Sequence, residues 1–91
     1  MRDLELAKLR LKERDLTLVI VKEGKVIFET ESRGVGGFLQ AIEKLGKGLI
    51  ASSVADKIVG AAAAMLCVYS GVASVFAVTI SEKGIRVLEG N

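Results

Sequence analysis

Ninety-one residues suffice for one domain with one core, and with 51% of them apolar, no proline and no Ser/Gly tract there is neither linker nor second domain to expect. Thirteen basic residues interleave with eleven acidic ones for a net charge of +2, which leaves no basic stripe to track a phosphate backbone, and the four aromatics (Phe28, Phe38, Tyr69, Phe76) are too scattered to stack bases. Histidine is absent and Cys67 is the only cysteine, so the chain cannot build a zinc finger, a disulfide framework, or a Ser-His or Cys-His pair, and no metal or cofactor is expected.

The opening Met1-Arg2-Asp3-Leu4-Glu5 carries both signs of charge and lacks the apolar core of a signal peptide, which makes the cytoplasm the expected compartment. Asp3 can cap a first helix over about Leu4 to Arg14. Steps of 100° place Leu4, Ala7 and Leu11 on one face, with Leu6 and Leu9 opposite, free to meet another subunit.

Leu16 to Val21 is a β-branched run, Glu23-Gly24 signals a turn, and Val26-Ile27-Phe28 resumes the pattern, so the segment reads as a β-hairpin whose first strand is interior. Arg33-Gly34-Val35-Gly36-Gly37 then leads into a second helix with Phe38, Ala41, Ile42 and Leu45 as its apolar stripe, ended by Gly46 and Gly48.

Ser52 or Ser53 can cap a third helix over about Val54 to Ser70, with Gly71 ending it in a left-handed conformation. That helix is apolar nearly all round, and its large residues Val54, Ile58, Met65, Val68 and Tyr69 share a face, which points to a central position. Val72 to Ile80 reads as a further interior strand. Ser81 then caps a last helix containing Ile85 and Leu88, although Gly84 leaves a strand over Ile85 to Leu88 as the alternative. Ile58 to Ile80 carries no charge and is long enough to span a bilayer, but Tyr69-Ser70-Gly71 breaks it and no basic flank orients it, so no membrane partner is expected. The order of elements implies an α/β three-layer sandwich, a mixed sheet with helices on both faces, forming a single domain over residues 1–91.

Two constellations stand out. Between Gly48 and Ser81 the only charged residues are Asp56 and Lys57, and helical geometry would align Asp56, Gly60, Ala63 and Cys67 in one narrow stripe of small residues with room for a partner helix or a small ligand. The plainer reading is that Asp56 complements a helix dipole, Lys57 snorkels and Cys67 is an inert small hydrophobe. An acid/base pair is disfavoured, since adjacent helical positions point about 100° apart. The second constellation is Arg33 with Gly34, Gly36 and Gly37, a glycine-rich strand-to-helix turn whose N–H groups could hold an anion; it lacks the third glycine of a dinucleotide fingerprint and the lysine of a P-loop.

With the hairpin at Leu16 to Thr30, the Asp-Lys-x-x-Gly-x-Ala-Ala pattern at Asp56 to Ala63, and the strand after it, the whole chain resembles a family of small prokaryotic proteins of unknown function with a cytidine-deaminase-like fold and no zinc centre. In zinc deaminases the metal ligands and the glutamate sit at the first turn of the central helix and at the start of the next helix after a strand. The resemblance sets those places at Asp56-Lys57 and at Ser81-Glu82-Lys83-Gly84, where no zinc ligand set is present. It also implies that relatives often carry lysine at the position of Ala61 and run on past that of Asn91 with further strands, which would make this chain a shortened member. The expected function is thus a deaminase-like domain without zinc chemistry, binding a small polar or nucleoside-like ligand near Asp56, Lys57, Gly60 and Ser81; the alternative is a structural, homo-oligomeric (dimeric) module without ligand.

Overall fold

The computed structural model describes residues 2–90, so the two terminal residues of the expected domain lie outside the described residues. Helix α1 (Asp3–Glu13) packs its buried Ala7 and Leu11 onto the sheet. Leu6 joins that packing as a half-buried residue while Leu9 stays exposed, so the expected second apolar side reduces to Leu9. Asp3 is the first helical residue and caps nothing on its own helix; its two carboxylate oxygens accept from the Glu23 and Gly24 amides at 2.9 Å each, tying the helix start to the hairpin turn.

That turn joins β1 (Leu18–Lys22) to β2 (Lys25–Thr30). Glu23 and Gly24 both have positive φ, 52° and 78°, the combination a two-residue hairpin needs to match strand twist. β1 is buried in alternation on both sides, with Leu18 and Ile20 facing one helical layer and Val19 and Val21 the other.

Helix α2 (Gly36–Leu45) buries Phe38 and Ala41, with Ile42 and Leu45 packed beside them, and runs into a 3₁₀ turn over Gly46–Leu49. Residues Ser53–Val59 are not helical; they form strand β3, and α3 starts only at Ala61 and ends at Ser70 before left-handed Gly71. Ser53 therefore caps no helix and its hydroxyl pairs with that of Ser74 at 2.8 Å, while Ser52 Oγ has no partner among the described residues. Ala55, Asp56 and Lys57 are weak strand formers by themselves, but β1 needs a neighbour on its second side, and this pairing overrides local preference.

The sheet order is β2-β1-β3-β4, where β4 is Ser74–Ile80; β1 pairs antiparallel with β2 and β3, and β3 pairs parallel with β4. α1 covers one face and α2, α3 and α4 (Glu82–Glu89) the other, giving three layers. β4, expected to be interior, is an edge strand. α3 is peripheral: Ala63, Ala64 and Cys67 face the sheet, while Met65 and Tyr69 point outward, the latter 79% exposed, because small residues let a helix approach a sheet closely. The uncharged Ile58–Ile80 run is divided among strand, helix and strand, and among the described residues no helix is long and apolar enough to cross a membrane.

α4 settles the alternative at Ile85 to Leu88 in favour of helix. Ser81 Oγ caps it, accepting from the Gly84 amide at 3.0 Å. Gly84 is required there: a Cβ would lie 2.9 Å from the Val59 carbonyl oxygen and 3.1 Å from Ile80 Cγ1. Gly84→Ala, despite alanine's better helix propensity, is therefore expected to lose about 1–3 kcal/mol in urea unfolding, as overpacking against backbone does. Gly36→Ala, where a Cβ meets nothing within 4 Å, should be neutral or gain up to about 1 kcal/mol.

Candidate functional site

β3 sends successive side chains to opposite sides of the sheet. Asp56, directly opposite Leu18 on β1, lies with Leu18 and Val54 on the α2/α3 side, whereas Lys57 reaches the Asp15 carboxylate at 3.1 Å. Asp56 and Lys57 thus do not act as a pair, and the stripe from Asp56 through Gly60 to Cys67 does not run along one helix. Part of that juxtaposition survives in tertiary form, because the Asp56 charge is close enough to act on Cys67 across the layer.

Beside Asp56 opens a cleft of about 590 Å³, walled by the Glu31–Val35 loop and Phe38 on one side and by Ile58, Gly60, Ala62 and Ala63 on the other. The two constellations legible in the sequence therefore meet in one place: Arg33 and Gly34 on one wall, Asp56, Lys57 and Gly60 on the other. Three of the expected residues fall outside it. Gly36 begins α2; Gly37 packs against Thr30, where a Cβ would come within 2.8 Å of the methyl; Ser81 is committed to capping α4, though its amide donates to Val59 O next to Gly60.

Both α2 and α3 begin at this cleft, and neither has a side-chain cap: Val35 and Gly60 occupy the cap positions. Two positive helix ends with amide donors thus adjoin a cleft lined by the Asp56 carboxylate, with Asp15 and Glu31 also on its walls. Gly34 sits at φ 71°, a conformation open to glycine at little cost.

The sequence reading missed Thr17 and Ser32. Thr17 Oγ1 lies 2.7 Å from the Ser32 carbonyl and 3.0 Å from that of Thr30, holding the loop that carries Arg33 against β1. No local pattern signals this, because the partners are brought together only by the hairpin register.

Asp56 is half-buried, and among the described residues no cation pairs with it. Burial pushes its carboxyl from the ordinary 3.8 up to about 6, partly offset by the amides of Ile58, which donates at 3.3 Å, and Lys57. Beneath it, burial and then the negative charge of Asp56 push the Cys67 thiol up to about 12, so the sulfur is an inert hydrophobe at neutral pH. Among the described residues no group of three His, Cys, Asp or Glu is placed to hold a metal ion.

A family model described as "Domain of unknown function (DUF1893)" matches residues 6–91. The chain belongs to the DUF1893 family. No curated protein matches it. Among solved structures, a DUF1893 family protein (TM1506) from Thermotoga maritima superposes with a TM-score of 0.86 at 25% identity, covering 99% of this chain and 60% of that one. This DUF1893 chain therefore spans about 60% of the length of that relative, which shares its α/β architecture.

The DUF1893 cleft makes its own electrostatic prediction. Because the Asp56 carboxyl titrates higher in the fold than in the unfolded chain, ionising it destabilises the fold: the penalty is absent below about pH 4, grows up to about pH 6 and is complete above it. Asp56→Asn should thus be more stable than the parent by about 1–2 kcal/mol above pH 6, a value discounted for partial solvent screening, with the gap closing near pH 4 in urea titrations. Cys67 should resist iodoacetamide at about pH 8 until the protein is unfolded, and be alkylated promptly thereafter.

Proposed function

We propose that this DUF1893 domain has a deaminase-like fold without zinc chemistry and binds a small polar, nucleoside-like ligand in the cleft beside Asp56. The observation that carries the reading is a half-buried carboxylate without a cationic partner among the described residues, kept at a cost to stability where two uncapped helix ends converge. A volume of about 590 Å³ lies within the range of small-molecule sites. Ionised Asp56 would accept from ring or amino N–H donors. The Arg33-Gly34 turn and the start of α2 would receive a phosphate or another polar end.

The deaminase-like part of the reading is supported by the β3-α3-β4-α4 unit with its parallel strands. In a zinc deaminase the ligands stand at the first turns of two such helices. The corresponding turns here are Gly60-Ala61-Ala62-Ala63 and Ser81-Glu82-Lys83-Gly84, neither with a thiol or imidazole, so the reading is one of recognition rather than hydrolysis. Lys57, engaged with Asp15, stands at the rim.

Titration of the labelled protein with cytidine, adenosine, guanosine and their monophosphates, followed by amide chemical shifts, tests this. Saturable shifts are expected at Arg33, Gly34, Asp56 and Gly60, stronger for the monophosphates, lost in Asp56→Ala and weakening as pH falls through about 6. Shifts absent at millimolar ligand, or unchanged in Asp56→Ala, would refute it.

A further inference from the structure

The side-chain chemistry on the Asp56 wall of the cleft reduces to one kind of hydrogen-bonding group. Asp56 takes its hydrogen bonds within the chain from its own strand, from the amides of Ile58, 3.3 Å from Oδ1, and of Lys57. A carboxylate has about four acceptor positions, so about two are left for a ligand. The nearby donors are committed elsewhere: the single hydroxyl hydrogen of Thr17 serves the Thr30 and Ser32 carbonyls, 3.0 and 2.7 Å away, and Lys57 Nζ donates to Asp15. Leu18, Phe38 and Ala63 supply apolar surface to the same cleft. A ligand reaching Asp56 thus meets a planar acceptor with both oxygens on one group, bordered by hydrocarbon.

We propose that the cleft selects guanine among the nucleobases, by setting the base's two adjacent N–H donors against the Asp56 carboxylate; this rests on the reading of the cleft as a nucleoside site. Guanine carries a ring N–H beside an exocyclic amino group, a planar donor pair that matches the two oxygens of a carboxylate. Adenine and cytosine instead place an N–H beside a bare ring nitrogen, whose lone pair would face a carboxylate oxygen. Hypoxanthine and uracil have a single N–H on that edge. The repulsion and the missing donor weigh more at a half-buried acid than in open water, so they supply the discrimination. A guanidinium group presents the same planar donor pair and is the other source of this chemistry. Asparagine at this position would keep the shape and turn one acceptor into a donor, which fits an N–H beside a carbonyl, as in xanthine.

Amide-shift titrations of the full chain at about pH 8, where Asp56 is ionised, decide the matter, with guanosine, inosine, adenosine, cytidine, xanthosine and methylguanidine as probes. Guanosine should bind at least about tenfold more tightly than inosine, adenosine or cytidine, the loss of one hydrogen bond to a charged group. Asp56→Asn, which relieves a buried charge and so keeps the fold, should lose guanosine and gain xanthosine by similar factors. Equal binding of guanosine and adenosine, or a guanosine preference that survives in Asp56→Asn, would overturn the proposal and leave the cleft a nucleoside site of another kind. Methylguanidine shifting Asp56 while no nucleoside does would keep the paired-donor recognition and remove the nucleoside reading. No shift from any of the six would end both.

Discussion

Strand β3 is hydrogen-bonded on both sides, antiparallel to β1 and parallel to β4, and the rest of the molecule is arranged around that double pairing. It joins the hairpin to the β3-α3-β4-α4 half of the chain. Its alternation directs Ala55 into the α1 layer and Val54 and Asp56 toward α2 and α3. Because the strand must end before a helix can begin, Gly60 in an extended conformation becomes the start of α3, and the cleft opens where the backbone changes from one element to the other.

The same pairing places a carboxylate where burial works against its ionisation. A carboxylate in this position would ordinarily be paired or solvated; Asp56 has two backbone amides for company and sits over an apolar layer that includes Cys67. Stability alone would favour a neutral residue here. Keeping an acid half-buried with no cation beside it among the described residues is a local conflict that the proposed recognition role would explain.

The apolar composition also resolves into two physically different uses. Leu18, Ile20, Val54 and Phe38 are enclosed between layers, as an ordinary core. Val78 and Leu9, by contrast, lie on the outer flank of β4 and α1 and are left exposed by the described residues, while the opposite edge carries charge and a bulge.

Much of the architecture was legible in the residues. The hairpin followed from β-branched runs around Glu23-Gly24, α2 from its stripe, the left-handed end of α3 from Gly71, and the α4 cap from Ser81, because each depends on interactions within a few residues. Composition also shows directly that the chain has no histidine and a single cysteine. What the sequence could not reveal was that residues 53–59 are a strand, since Ala-Asp-Lys has no local reason to be extended and becomes so only through the backbone partners that β1 and β4 supply. That tertiary choice separated Asp56 from Lys57, turned the large residues of α3 outward, put β4 at an edge and brought Arg33 and Gly34 to the same cleft as Asp56 and Gly60. Local rules determined which segments could be helix, turn or strand; long-range hydrogen bonding decided which side of the sheet each charge would face.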